Sequence, residues 1–378
     1  MRLTPNFMGD RKVGRILALA VWHMVGLAFG ANGQEFMTRR IGDAVLIITA
    51  RFSWWEVNMA ALATGEGLVV VDTLYHPAAA RQALKLIKAF SGQPVRYVIN
   101  THHHADHTFG NGEFPKALII GHSHCPAGME SEMTRQLESC RRLIPDLEGQ
   151  LRPLTSGNTA QAEVLRGRLS YLKGIERLAA EGFRLTLPSL TLECGAQLDV
   201  GGKKIIIMNL GSFHSDSDLM VYIPGSRLIL MGDLYHRHNL PFINTALVGD
   251  PDNLIAVYDR LISLGSQVDH YIPGHGPVAD AAFLTRHRDY LKKLVESVKK
   301  AKEDGLSLDQ GKTIIALNEY RDFDNFEQIH AANIENCWES VCLAPRGAQV
   351  QGGKSDVSAA DCSRGRGMEC AGRPALRH

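Results

Sequence analysis

The ten-residue stretch Thr101 to Gly110, THHHADHTFG, constrains this chain more than any other. His102, His104, Asp106 and His107 crowd into it, directly after the apolar run Val95 to Ile99. Packing gives no reason for such density, because every buried polar group needs a partner of its own. Imidazole and carboxylate donors suit zinc, and manganese or iron also fit. The run before the cluster reads as a strand, and open α/β sheets place their chemistry in the loops at the carboxyl ends of strands.

Three further ligands stand at separate strand ends: His214, Asp233 and His275. His102 and His104 are two residues apart, so an extended loop points both at one metal, with His214 as the third ligand. Asp106, His107 and His275 then serve a second metal, and Asp233, with two carboxylate oxygens, bridges the pair. Two divalent ions so placed would lower the pKa of a shared water and hold hydroxide between them, aimed at a carbonyl or phosphoryl group. Asp106 and Asp233 are thus candidates for catalysis as well as ligation. Tyr235 and His236, just past Asp233, are candidates to line the cleft or donate to a developing oxyanion, as is His238. His103 should point away from its neighbours. Asp72, at the end of another apolar run, reads either as a turn cap or as a carboxylate that holds a ligand histidine. Trp54 and Trp55 read as partly buried aromatics or as the lip of a pocket.

Around these residues the pattern alternates strand and helix. Strands are expected over Asp43 to Thr49, Val57 to Leu62, Leu68 to Val71, Val95 to Ile99 and Ala117 to Ile120. Leu68 to Val71 is apolar throughout, as in a strand covered on both faces. A helix starts at Pro77 and runs to about Phe90. Helical patterns over Ala127 to about Ile144 and Thr159 to Glu181, with a loop from Pro145 to Asn158 between them, form an insertion over 126–182 that overhangs the site. Leu190 to Leu192, Gln197 to Val200 and Lys204 to Leu210 follow as strands. A hairpin then joins Leu219 to Ile223 with Leu228 to Met231 through Pro224-Gly225, leaving His214 before it and Asp233 after it. Beyond it come a helix over Asp252 to Leu264, a strand over Val268 to Ile272, and the turn Pro273-Gly274-His275-Gly276-Pro277. Two amphipathic helices, Ala281 to Lys302 and Gln310 to Leu317, close the domain. The halves around 42–121 and 190–276 fit a sheet-on-sheet core clad by helices.

A domain over 35–320 leaves both ends of the 378-residue chain to explain. Met1 to Gln34 reads as an export signal, with Arg2, Arg11, Lys12 and Arg15 before the apolar run Ile16 to Phe29 and small residues at Ala28-x-Gly30. That segment implies a periplasmic or secreted protein, and no later apolar run suggests a membrane span. Residues 321–346 form a C-terminal extension, and 347–378, rich in Gly, Ser and Arg, cannot bury enough surface to fold alone. A formal charge of +1 argues against a nucleic-acid partner and leaves a small molecule as the expected one. The seven cysteines do not describe a disulfide framework, although Cys337 to Cys342 or Cys362 to Cys370 could pair.

The blocks THHHADH at 101–107, GSFHSDSDL at 211–219, Gly232-Asp233 and PGHG at 273–276 resemble, in that order, the metallo-β-lactamase superfamily. The resemblance covers about residues 42–300. It implies an αββα sandwich, two mixed β-sheets flanked by helices, with two zinc ions held by His102, His104, His214 and by Asp106, His107, His275, and bridged by Asp233. It does not name a substrate, since the family spans many hydrolases. Relatives acting on glutathione thioesters carry tyrosine where this chain has Pro277, and the nuclease branches expect a basic surface. A dinuclear zinc hydrolase acting on an ester, lactone, thioester or β-lactam carbonyl is therefore expected. The alternatives are a phosphodiester or sulfate-ester hydrolase, marked by a more cationic pocket, and a non-catalytic metal-binding or redox accessory protein.

Overall fold

A computed structural model describes residues 28–29, 35–154, 160–236, 238–248 and 250–341. Its first sheet runs β1 (Ala28–Phe29), β2 (Glu35–Ile41), β3 (Val45–Arg51), β4 (Glu56–Thr64), β5 (Gly67–Val71), β6 (Val95–Ile99), β7 (Leu118–His122) and β8 (Leu190–Leu192), in that spatial order. Strands β1 to β5 pair antiparallel and β5 to β8 parallel. The second sheet contains β9 (Ala196–Val200), β10 (Lys203–Met208), β11 (Met220–Ile223), β12 (Leu228–Leu230) and β13 (His270–Ile272). It is antiparallel apart from the β12–β13 pair. The helices are α1 (Pro77–Phe90), α2 (Ala105–Thr108), α3 (Cys125–Leu151), α4 (Ala160–Ala180), α5 (Thr245–Val248), α6 (Pro251–Ser263), α7 (Ala281–Glu303), α8 (Leu308–Ile314) and α9 (Phe326–Ser340).

Sequence pattern explains the layers. Val45, Ile47, Leu62, Val69 and Ile99 of the first sheet meet Leu198, Ile205, Ile207, Val221 and Leu230 of the second, so the sheets share a dry interior. Every residue of β5 is buried, as its unbroken apolar run predicts. The outer face of the first sheet receives Ala79, Ala80, Ala83 and Ile87 of α1. Leu254 and Tyr258 of α6 and Leu291, Leu294 and Val298 of α7 belong to the cluster that covers the second sheet. Two mixed sheets flanked by helices make the αββα sandwich.

Several boundaries differ from the expectation. Strand β2, unread in the sequence, pairs with β3 along its whole length. Helix α3 does not stop at Pro145 but carries it as an interior residue. Proline removes one helical hydrogen bond and crowds the preceding turn. Here the helix continues because Leu147, in the next turn, is buried against Leu165, Leu172 and Ile175 of α4. Within the expected C-terminal extension, Phe326, Ile334 and Cys337 of α9 sit in the same core cluster as residues of α6 and α7. The Cys337 thiol is free, which removes the expected Cys337–Cys342 bridge. The export segment other than Ala28–Phe29, and the tail 347–378, lie outside the described residues. Among those described, no helix is long and apolar enough to cross a membrane.

The core behind the site holds a titratable group. His287 is fully buried among the rings of Tyr235, Phe283 and Phe323. Burial first, then the charges of His236 and Arg286, push its pKa down to about 3. The unfolded chain takes up this proton below about pH 6.5, whereas the folded one does not until about pH 3. The stability contributed is therefore complete above about pH 6.5 and is lost as pH falls through that window, at up to ~1.4 kcal/mol per pH unit. His287→Phe should flatten the decline of urea stability between neutral pH and pH 4 by about one proton relative to the unmodified chain. Parallel declines would mean that His287 is not held neutral.

Candidate metal centre

Strand ends from both sheets bring the ligand residues together. The 101–107 loop follows β6, His214 lies on the loop between β10 and β11, Asp233 follows β12, and His275 follows β13. Two groups result: His102, His104, His214 and Asp233, and Asp106, His107, Asp233 and His275. In each, one ligand atom per residue lies within 4.8 Å of all the others. Asp233 belongs to both groups. Its Oδ2 is 3.1 Å from His275 Nε2 and 3.4 Å from His214 Nε2, while its Oδ1 is 3.2 Å from His107 Nε2. Asp106 Oδ2 lies 3.1 Å from His275 Nε2 and 3.3 Å from His107 Nε2.

Secondary contacts turn the ring nitrogens inward. Asp72 accepts from Thr101 N and Thr101 Oγ1, each at 2.8 Å, and its Oδ2 meets His107 Nδ1 at 2.8 Å. It is therefore the carboxylate that orients a ligand histidine, and its left-handed backbone, φ 61°, marks a position held under strain. His275 Nδ1 donates to the Glu56 carbonyl at 2.6 Å. Both imidazoles thus present Nε2 to the centre. The Asp218 carboxylate accepts from the backbone N–H groups of Phe213, His214 and Ser215, fixing the turn that carries His214. Asn58 Nδ2 donates to the Pro273 and Gly276 carbonyls and holds the turn that carries His275. Gly274 has a role in that turn too: a Cβ there would overlap Asp233 Oδ1, so only glycine lets the carboxylate enter.

The donor set fits a pair of divalent cations. His107 Nε2 and Asp233 Oδ1 are buried without a hydrogen-bond partner, a costly state for two polar atoms unless something binds between them. His104 Nδ1 lies 3.1 Å from His102 Nε2 and 2.9 Å from His214 Nε2, so three nitrogens converge where a cation would satisfy them together. Burial pushes His102 down and His214 down to about 3, leaving both lone pairs available. Burial would raise Asp233, but the imidazoles of His275, His107, His236 and His214 outweigh it and hold the carboxyl well below the usual range.

Of the other expected residues, His236 lies beside the centre, with its ring stacked on His275 at 4.8 Å and Nε2 3.5 Å from Asp233 Oδ2. Tyr235 does not line the cleft. It is fully buried, and its ring packs against His287 and Phe283: Gly232–Leu234 form a 3-10 turn, in which residues three apart share a side, so Asp233 and His236 face the centre while Tyr235 faces the core. His103 turns away as expected, toward Ser217 Oγ at 2.8 Å.

A cavity of about 660 Å³ opens from Asp106, His236 and His275. Its aromatic lining is made by Phe52, Trp54, Trp55 and Tyr171, and His238, Asn239, Asp324 and Asn325 also line it. Trp54 and Trp55 are therefore pocket residues. Gln136 of α3 and Tyr171 of α4 also line it, so the helical insertion overhangs the site as expected. The sequence reading missed Gln136, Tyr171, Asp218 and Asn58. Only Asp218 left a signal, as an acid four residues past a ligand histidine.

Fold and paired clusters together define a metal-dependent hydrolase. The metallo-beta-lactamase superfamily profile matches residues 53–305, and the chain belongs to that superfamily. Among curated proteins it is similar to the alkyl/aryl-sulfatase BDS1 of Saccharomyces cerevisiae, 25% identical over 251 residues, covering 62% of this chain and 38% of that protein. It is also similar to a linear primary-alkylsulfatase of Pseudomonas sp., 22% identical over 216 residues, covering 56% of this chain and 40% of that one. The chain thus spans about two fifths of the length of the curated relatives it matches. Among solved structures, the sec-alkylsulfatase Pisa1 of Pseudomonas sp. shares the fold with TM-score 0.57 at 17% identity, over 85% of this chain and 57% of that one.

Asp72→Asn keeps a residue that tolerates left-handed backbone but removes the charge behind His107. Zinc affinity, measured by competition with a chelator, should fall about 10- to 100-fold for one of two ions. Unchanged affinity for both would remove Asp72 from the metal site.

Proposed function

We propose that this chain hydrolyses sulfate monoesters of apolar alcohols, with two zinc ions as its metals. The carrying observation is the asymmetry of the cavity, whose inner end is built of metal-ligating groups and whose wall is aromatic. Such a site matches an ester with a compact anionic head and an apolar alcohol. Similarity to two proteins named as alkylsulfatases supports this reading over the lactam, lactone, thioester and carboxylic-ester readings.

In this proposal His102, His104 and His214 hold one ion, Asp106, His107 and His275 the other, and Asp233 both. The ions supply Lewis acidity and a water of lowered pKa when bound. The protein's own groups do the rest. Asp72, Asp218, Asn58 and the Glu56 carbonyl keep the ligand side chains in place, so that little reorganisation is left for the reaction. His236, at the cavity surface, offers a ring N–H to a sulfate oxygen or to the departing alcohol oxygen. Arg51 reaches the cavity lining, but it is paired through Nε at 2.9 Å with Glu56, which lines the cavity too, so the attraction of an anionic head is left to the metal end. The aromatic wall receives the alcohol portion and keeps water from it.

The test is a panel run on the metal-loaded chain: hexyl sulfate, 4-nitrophenyl sulfate, a chromogenic cephalosporin, an acyl-homoserine lactone and bis-p-nitrophenyl phosphate. The expected outcome is release of sulfate with the alcohol, abolished by a chelator and restored by zinc. Faster turnover of a carbonyl or phosphodiester substrate than of either sulfate ester would overturn the proposal.

A further inference from the structure

The aromatic wall is built from two parts of the chain that meet at a single glycine. The turn joining β3 to β4, residues 52–55, is closed by Phe52 N donating to the Trp55 carbonyl at 2.7 Å. Its tip lies under α4, where Ser53 Oγ donates to the Glu163 carbonyl at 2.9 Å. One helical turn beyond Glu163 on the same face stands Gly167, and one turn beyond that stands Tyr171. A Cβ at Gly167 would overlap Ser53 Oγ and lie 2.8 Å from Trp54 Cδ1. Tyr171 in turn meets the Trp54 ring at 5.9 Å and the Trp55 ring at 5.7 Å, both edge-on.

Glycine in a helix interior costs ~1 kcal/mol relative to alanine. Its place in α4 is explained by the turn tip, which needs the room. The consequence reaches the cavity, because the two tryptophans and Tyr171 all line it. The separation of turn and helix at Gly167 is also the separation of these wall residues.

We propose that Gly167 is a specificity-determining position: as a notch in α4 it seats the 52–55 turn close to Tyr171, keeping the apolar end of the cavity narrow and favouring unbranched over bulky alcohol portions. This rests on the sulfate-ester reading for its substrate and on the structure alone for its geometry. Gly167 touches no reacting group and acts through Trp54, Trp55 and Tyr171. A methyl group at this point displaces the Ser53 hydroxyl and presses on the Trp54 ring, moving that ring in the wall, and pockets that differ by one methylene discriminate their substrates about 10- to 200-fold.

The experiment compares the full metal-loaded chain with Gly167→Ala, using hexyl sulfate and cyclohexyl sulfate as substrates and acrylamide quenching of tryptophan fluorescence as a readout that needs no substrate. Alanine favours the helix, so circular dichroism should show an intact fold. The kcat/KM ratio of cyclohexyl to hexyl sulfate should rise about tenfold, and quenching should increase as the cleft opens. In a Trp54→Ala background, which removes the obstructing ring, the same substitution should change the ratio by less than about threefold. A ratio and a quenching constant both unchanged in Gly167→Ala would overturn the notch. If the unmodified chain cleaves neither sulfate ester, the sulfate reading fails by itself, and the quenching comparison still decides whether Gly167 sets the width of the cleft.

Discussion

A carboxylate almost out of reach of water, facing five imidazoles, is the interaction on which the rest of this structure depends. Asp233 is buried, and isolated buried charges are too costly to persist. It is tolerable because His102, His107, His214, His236 and His275 converge on it from both sheets. The β-sandwich gives that convergence its geometry. Strands β6, β12 and β13 end at one edge, and the segments just beyond them are tied down by side chains from elsewhere. The ties are long-range: Asp72 reaches Thr101 and His107, and Asn58 reaches the 273–276 turn.

How much of this was legible depends on whether a residue's role is local. The seven candidate ligand residues could be read because metal chemistry restricts such candidates to a few side-chain types, and because His102 to His107 lie within six positions. Strand β5 was legible for a similar reason: burial on both faces leaves no polar residue in Leu68 to Val71. Asn58 was not, because an asparagine in an apolar strand shows its purpose only when a turn over two hundred residues away packs against it. Tyr235 was not legible, because the 3-10 turn at Gly232–Leu234 puts His236, three residues past Asp233, on the carboxylate's side and turns Tyr235 into the core. The end of α3 was misjudged because proline weighs heavily in a local reading, while Leu147 and its packing on α4 are tertiary facts. For α9, the burial of Ile334 and Cys337 against α7 was likewise invisible until the partner helix was in place.

Two kinds of construction meet in the cavity. The metal end is held by short hydrogen bonds from buried side chains and leaves little freedom. The aromatic end rests on packing between the 52–55 turn and a helix pair inserted after β7, and it joins the metal end where the Trp55 ring lies 5.3 Å from that of His275.

Anomalous diffraction at the zinc edge from crystals of the zinc-loaded chain tests the central claim most directly. The account predicts two peaks flanking the Asp233 carboxylate, one among His102, His104 and His214 and the other among Asp106, His107 and His275. A single peak, or peaks that leave Asp233 without a metal on both sides, would contradict it.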